Sequence, residues 1–439
     1  MKTLAEILAE AFLAGAWQAD EMAARGALVL GRRARWLPGI ARRICDVCAG
    51  QPYRTRAQIA KLIAGDRGFL NACDYGEPEF RIILWPSPAA MRPAAGAPQS
   101  WELPEITTPG MLADWLELTP GQLNWFADRQ SRERGLPPGR LRHYHYRWIR
   151  KRHGEARLIE IPKSRLKQLQ RRLLAGLISL LPPHEAAHGF RVGRSIRTFA
   201  APHLGARVVL RLDLRDFFPS ITRRRLLPVF LTAGYPEAVA RLLAGLCTNA
   251  APPEAWQEFP GSGQPRERWP TESLYTVPHL PQGAPTSPAL ANLCAFRLDC
   301  RLSALAGAMG ASYTRYADDL AFSGGDELRR AARRFQIQVM AIALEERFSI
   351  HARKTRVMPQ SSRQQLAGVV VNRHPNINRR DYEQLKAILH NCRRHGPQTQ
   401  NRQSHADFRA HLAGKIAHIV MLNPARGEKL RRLFEEIRW

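Results

Sequence analysis

The chain has 439 residues, with 66 Lys and Arg against 38 Asp and Glu, a formal net charge of +28 and 45% hydrophobic residues. That length holds two or three domains with a large core, and no run of eighteen apolar residues reads as a membrane span. So large an excess of positive charge excludes a generic solubilising surface and points to a polyanion, nucleic acid first.

Seven cysteines, an odd number, read as free thiols in a reducing cytoplasm. The N-terminal stretch carries Glu6 and Glu10 among its apolar residues and does not read as a secretory leader. Leu4, Ile7, Leu8, Ala11 and Phe12 recur at helical spacing, so residues 1–25 are predicted as an amphipathic helix. Residues 27–75 continue the helical pattern, broken at Pro38 and Pro52, and residues 1–85 read as a helical N-terminal extension. Cys45 and Cys48 have zinc-like spacing but no second pair follows, so helix packing is the favoured reading. The arginines at 32, 33, 35, 42 and 43 suit RNA or a solvated face equally.

Residues 86–108, rich in Pro, Ala and Gly, read as a linker. A helical pair follows over 109–136. Thr107 or Thr108 caps its start, and Thr119-Pro120-Gly121-Gln122 combines an N-cap, a first-turn proline and a capping-box glutamine. Tyr144–Arg152 and Arg157–Ile161 are β-prone runs joined at His153-Gly154, followed by a helix over Ser164–Leu181. Residues 141–175 hold eleven Lys and Arg against Glu155 and Glu160 alone. The segment Gly189-Phe190-Arg191-Val192-Gly193-Arg194 is a glycine-punctuated basic turn suited to a template backbone or to an ordinary connection.

The chemistry concentrates between residues 206 and 375. Asp213 lies in the buried-strand run Val208–Leu214, and Tyr313–Tyr316 and Leu320–Ser323 flank Ala317-Asp318-Asp319 as a tight hairpin. Adjacent acids at the end of apolar strands repel each other unless cations neutralise them. One aspartate on a strand and two on a neighbouring hairpin make a hard-oxygen cage for two Mg²⁺ ions, Mn²⁺ being the substitute. Residues 251–278 read as a Pro- and Gly-rich surface insertion, and 326–348 as a helix backing the sheet with Leu328, Phe335, Val339, Ile342 and Phe348 inward. The tail from 376 to 439 reads as three helices, opened at Asn378, at Ser404–Asp407 and at Asn423-Pro424.

Three motifs in order carry a resemblance. Leu212-Asp213-Leu214-Arg215-Asp216-Phe217-Phe218-Pro219-Ser220-Ile221 resembles the first metal-binding motif of reverse transcriptases. Leu280-Pro281-Gln282-Gly283-Ala284-Pro285-Thr286-Ser287-Pro288 resembles their nucleotide-pocket motif, and Tyr316-Ala317-Asp318-Asp319 their signature tetrapeptide. The resemblance implies an α+β right-hand polymerase: fingers within 109–205, a palm over 206–375 and a helical thumb over 376–439. It implies Asp213, Asp318 and Asp319 as catalytic metal ligands with the carbonyl of Leu214. It also implies Asp216, Phe217, Phe218 and Gln282 in the dNTP site, Phe218 excluding a 2′-hydroxyl. Asp216 suits either orienting backbone N–H groups or capping a helix. Lys151 and Arg157 are the candidates for the triphosphate, with Arg150 and Arg152 as rivals. Arg194, His203, Gly283, Tyr316, Lys354 and Gly368 are expected against primer and template, Lys354 suiting pyrophosphate equally.

His188-Gly189-Phe190, the proline-flanked Gln282 motif and His418–Pro424 resemble the retron group, particularly myxobacterial-type enzymes with an N-terminal extension. That group implies a cognate structured non-coding RNA, a branched RNA–DNA product primed from a guanosine 2′-hydroxyl, a separate effector protein and phage defence. Two family motifs depart here: an Asn-Ala-x-x-His pattern stands as Phe199-Ala200-Ala201-Pro202-His203, and Val-Thr-Gly as Leu366-Ala367-Gly368. Specificity for the RNA is where these departures are expected to tell. A group II intron-like or CRISPR-associated reverse transcriptase, or a polymerase-inactive RNA-binding scaffold, is the alternative.

Overall fold

The computed structural model describes residues 3–15, 17–48, 56–74, 91, 101–150, 156–257, 259–260 and 272–439. The fold is mixed helix and strand and forms two compact units. One comprises Met1–Pro182 with Phe218–Cys294, the other Pro183–Phe217 with Ala295–Trp439. The stretch expected as one palm is thus shared between them.

In the first unit, helices Leu4–Leu13, Ala19–Leu30, Leu37–Cys48, Arg56–Ala64 and Arg67–Asp74 enclose their own core around Leu8, Phe12, Met22, Ile40, Ile44 and Ile59. The single helix expected over 1–25 is two. Arg25 donates to the carbonyls of Ala11 (2.8 Å) and Phe12 (2.9 Å), satisfying the last turn of the first helix so that the chain can fold back. Cys48 is buried in this core, and Cys45 Sγ lies 3.4 Å from Met22 Sδ. The linker expected over 86–108 falls largely outside the described residues. Thr108 caps Pro109–Trp115, and Thr119 with Gln122 forms the capping box of Pro120–Ala127.

Strands β1 (Tyr144–Arg150) and β2 (Ala156–Pro162) pair antiparallel, and helix Ser164–Gly176 follows. The described ends of the 251–278 insertion are more than a surface loop. Trp256 and Tyr275 are buried with Leu158 and Ala251, and Trp148 donates from Nε1 to the carbonyl of Ala255 at 2.6 Å. Aromatic burial, invisible behind the prolines and glycines, ties the insertion to the hairpin.

The second unit holds the antiparallel sheet. β3 (Val208–Arg215) lies between β5 (Asp319–Gly324) and the pair β6 (Ser349–Ile350) and β7 (Arg356–Pro359), with β4 (Ser312–Tyr316) at the far edge beyond β5. Helix Asp326–Glu345 backs the sheet through buried Leu328, Phe335 and Val339. A small hairpin, β8 (Gln365–Leu366) and β9 (Val369–Val370), turns at Ala367-Gly368, both with positive φ (44° and 87°) as a two-residue primed turn requires. Helices Arg379–His395, Phe408–Leu422 and Pro424–Glu435 close the chain around Leu389, Leu412, Ile416 and Leu430. Their N-caps are Asn378, Asp407 and Asn423, whose side chains accept from backbone N–H groups of the first turn. Among the described residues no helix is long and apolar enough to cross a membrane.

Candidate active site

The carboxylates of the second unit meet through strand register. Along β3 successive side chains alternate faces, so Arg211 and Asp213 share one face. Pairing with β5 sets Asp213 opposite Asp319, and Leu214 N–H donates to the Asp318 carbonyl at 2.8 Å. Asp213 is buried, and Lys354 Nζ lies 2.9 Å from its Oδ1. Arg211 Nε lies 3.0 Å from Asp319 Oδ1. Burial pushes the Asp319 carboxyl above its ordinary range, with Asp213 adding to the rise and Arg211 and Lys354 opposing it.

Among the described residues no three Asp, Glu, His or Cys side chains are gathered closely enough to enclose a metal ion. The donor chemistry nevertheless fits a hard divalent cation: facing carboxylates, a third at the adjoining turn, and two basic side chains supplying the charge a cation would bring. Arg211 and Lys354 each engage Oδ1 of one of the two facing carboxylates.

The segment after Pro183 lies along β4. Arg315 N–H donates to the Ala186 carbonyl (2.7 Å), and His188 N–H to the Arg315 carbonyl (2.8 Å). Gly189 follows, and a Cβ there would stand 2.7 Å from Ala317 N. Backbone cannot yield as a side-chain tip can, so Gly189→Ala is expected to displace the Ala317-Asp318 turn. A loss of roughly 10- to 100-fold in DNA synthesis with a modest fall in thermal stability is the expected result. A primer-extension assay beside a melting curve checks it. Phe190 is half exposed, its ring 6.3 Å from that of Tyr316. Arg194 is held by Glu185 at 2.6 Å, as is Arg191 at 2.8 Å.

Two expected contacts are corrected by burial. His203 has no exposed surface, its Nδ1 2.7 Å from Ser323 Oγ and its Nε2 2.7 Å from Thr314 Oγ1. Thr314 gives its own proton to the Phe199 carbonyl, so it accepts from His203 Nε2–H and Ser323 donates to Nδ1. Burial, with His188 nearby, pushes this imidazole down to about 3, and it is neutral. His203 therefore joins β4 to β5 and touches no primer or template. Phe217 is also buried, its ring 5.6 Å from Phe348, and cannot line a nucleotide pocket. Asp216 has φ 47° and pairs with Arg215 at 3.3 Å.

In the first unit, Arg157 lies on β2 opposite Ile149, and Phe218 is half buried. Lys151 and Arg152 lie outside the described residues, whereas Arg150 ends β1 exposed. The Gln282 carbonyl accepts from Glu160 N–H at 2.9 Å. Gly283 has φ +136°, and a Cβ there would stand 2.7 Å from the Glu160 carbonyl, so glycine is required on both counts. Beneath this loop Glu160 and His279 form a pair with no exposed surface, Nε2 to Oε2 at 2.8 Å. Asn249 donates to Glu160 Oε1 (2.7 Å), and His279 Nδ1 meets the Val277 carbonyl at 2.8 Å. Burial works against charge on His279, but the Glu160 carboxylate, its hydrogen bond and the Val277 carbonyl outweigh it and raise the imidazole pKa, favouring the protonated ring.

Sequence reasoning passed over Arg211, Asp299, Arg315, Glu160 and His279, and it read Gly189 only as part of a basic turn rather than as the close neighbour of the Ala317 backbone. An arginine two places before a strand aspartate, and a glutamate inside Leu158-Ile159-Glu160-Ile161, were the available signals.

The model of the family "Reverse transcriptase (RNA-dependent DNA polymerase)" matches residues 149–371. The retron Mx65 reverse transcriptase of Myxococcus xanthus is 41% identical over 337 residues, 75% of this chain and 72% of that protein. The retron Mx162 reverse transcriptase of the same organism is 38% identical over 339 residues, covering 74% and 66%. The retron Ec86 reverse transcriptase of Escherichia coli is 32% identical over 235 residues, covering 53% and 64%.

Proposed function

The chain belongs to the reverse transcriptase family, among the retron enzymes, and is an RNA-directed DNA polymerase; from that premise we propose that it copies part of a cognate structured non-coding RNA into single-stranded DNA. The observation that carries the reading is the facing of Asp213 and Asp319 across β3 and β5, with Asp318 at the turn between β4 and β5. Synthesis starts from an RNA 2′-hydroxyl, the product is a branched RNA–DNA molecule, and the setting is antiphage defence in the bacterial cytoplasm beside a separate effector protein. In this reading the β1–β2 hairpin and its helices act as fingers, the β3–β7 sheet as palm, and the three C-terminal helices as thumb.

When bound, two Mg²⁺ ions, or Mn²⁺, neutralise charge on the attacking and leaving oxygens of phosphoryl transfer. Asp213, Asp318 and Asp319 would hold them, with the carbonyl of Leu214. Arg211 and Lys354 keep these carboxylates apart from one another's charge until then, and Lys354, once released, offers its ammonium to the departing pyrophosphate. Arg157 and Lys151 bind the triphosphate, Asp216 orients backbone N–H groups toward it, and Gln282 with Gly283 lines the nucleotide pocket. Arg194, Tyr316 and Gly368 lie along primer and template. The ring of Phe218 excludes the ribose 2′-hydroxyl. Phe218→Ala is accordingly expected to cut dNTP over rNTP discrimination at least ~10-fold, read as the ratio of kcat/KM values.

Purification after expression with the native flanking DNA, followed by sequencing of bound nucleic acid, tests the whole reading. A short DNA joined to a structured RNA, present in wild type and absent in Asp318→Asn/Asp319→Asn, is the expected result. RNA without DNA in both samples would leave a binding scaffold, and heterogeneous cDNA from many RNAs would sink the retron-specific template.

A further inference from the structure

The turn that carries Asp318 is held in a conformation its own sequence disfavours. Ala317 has φ +56°, a left-handed value that a residue with a Cβ adopts only where its surroundings impose it. In two-residue hairpin turns such a position ordinarily falls to glycine, asparagine or aspartate. Something must therefore insist on this geometry, and a buried side chain of the same unit does. Arg315, with no exposed surface, donates from Nη1 to the Ala317 carbonyl at 3.1 Å.

The rest of that guanidinium is gripped from behind. Asp299, equally buried on helix Phe296–Ala308, accepts from Nε at 2.8 Å and from Nη2 at 2.6 Å. The Tyr313 hydroxyl donates to Asp299 Oδ1 at 2.8 Å, and the guanidinium carbon stands 5.7 Å from the centre of the Phe217 ring. A bidentate fork leaves the arginine no rotational freedom. A buried ion pair adds little net stability over an apolar pair of equal volume, so orientation is the better account of its presence.

We propose that Asp299 and Arg315 are positioning residues that lock the Ala317-Asp318 turn and thereby present the Asp318 carboxylate to the catalytic cation. The proposal rests on the metal-site reading above. Lysine at 315 would keep a charge for Asp299 but, as a point donor, would lose either the second carboxylate oxygen or the Ala317 carbonyl.

The test uses the full chain without nucleic acid and Mn²⁺ alone as probe, its binding followed by electron paramagnetic resonance. Hydrogen exchange of the 313–320 peptide and steady-state kinetics are read beside it. Arg315→Lys is expected to weaken Mn²⁺ binding roughly 10- to 100-fold, the range seen when groups supporting a metal ligand are removed. Exchange should quicken in the turn alone, and kcat should fall while the KM for dNTP stays within about twofold. Should Arg315→Lys fold poorly, Asp299→Asn/Arg315→Gln, which leaves no buried charge unpaired, carries the same expectation. A folded variant with wild-type Mn²⁺ affinity and wild-type exchange in the turn overturns the proposal. Asp318→Asn is the control: if it too leaves Mn²⁺ binding unchanged, the metal-site reading itself has failed, and the positioning role falls with it.

Discussion

Asp213→Asn is expected to lower DNA synthesis by at least ~1000-fold while leaving the protein folded. On the proposed reading the substitution removes one anionic ligand from a site that stabilises developing charge. Losing ~4 kcal/mol of that stabilisation corresponds to three decades of rate. The fold should tolerate the change, because the partner left behind, Lys354, is about a third exposed and regains water. Repulsion between Asp213 and Asp319 disappears as well, so the change in stability is expected to stay within about 1 kcal/mol. Single-nucleotide incorporation on a primed RNA, beside a denaturant melt, decides the matter. Substantial activity in a folded Asp213→Asn protein would remove this residue from the metal set.

The second large effect is expected at Glu160. Glu160→Ala leaves His279 buried without its carboxylate and the Asn249 amide with the Tyr146 hydroxyl alone, at a cost of about 3–5 kcal/mol. Glu160→Gln keeps the shape and should cost less. The pair also gives stability a pH dependence whose sign can be worked out. Burial alone would lower the His279 pKa, but the Glu160 carboxylate, its hydrogen bond and the Val277 carbonyl together raise it. A histidine whose folded pKa exceeds its unfolded value stabilises fully below about pH 6.5, and that contribution is lost as pH rises through the folded value. Urea midpoints for wild type should therefore decline over that alkaline window, and the decline should vanish in Glu160→Gln. An unchanged slope in the variant would assign the pH dependence to other groups. The backbone N–H that holds the Gln282 carbonyl survives in Glu160→Ala, so the KM for dNTP should move only as far as β2 itself shifts.

Much of this was legible in the sequence because the chemistry leaves few residue types to choose from. The placing of Asp213 on a strand, of Asp318-Asp319 at a hairpin turn and of Gly283 at a close backbone approach was readable, since few residue types suit such positions. The helix caps at Thr119, Asn378 and Asn423 were equally readable, being local hydrogen-bond arithmetic over three residues. What stayed hidden depends on partners distant in the chain. Lys354 reaches Asp213 from 141 positions away, and Arg211 meets Asp319 only once β3 and β5 are in register. His203 was expected on nucleic acid because its motif suggested it. Only the faces of β4 and β5 reveal that both its nitrogens are spent inside the sheet. The insertion misled for the opposite reason, its prolines and glycines masking the rings of Trp256 and Tyr275.

The order β4-β5-β3 also bears on how the protein is made. β3 is the middle strand, yet Asp319, the β5 partner of Asp213, leaves the ribosome roughly a hundred residues later, on the order of 5–20 s at ordinary translation speeds. Throughout that interval an apolar strand waits with both edges open, the condition under which nascent chains associate with one another. Arg211, set in the middle of Val208–Leu214, is a charge of the kind that discourages such association. Slower synthesis would lengthen the wait, so the yield of soluble enzyme should depend on codon choice between these two strands and on temperature during expression.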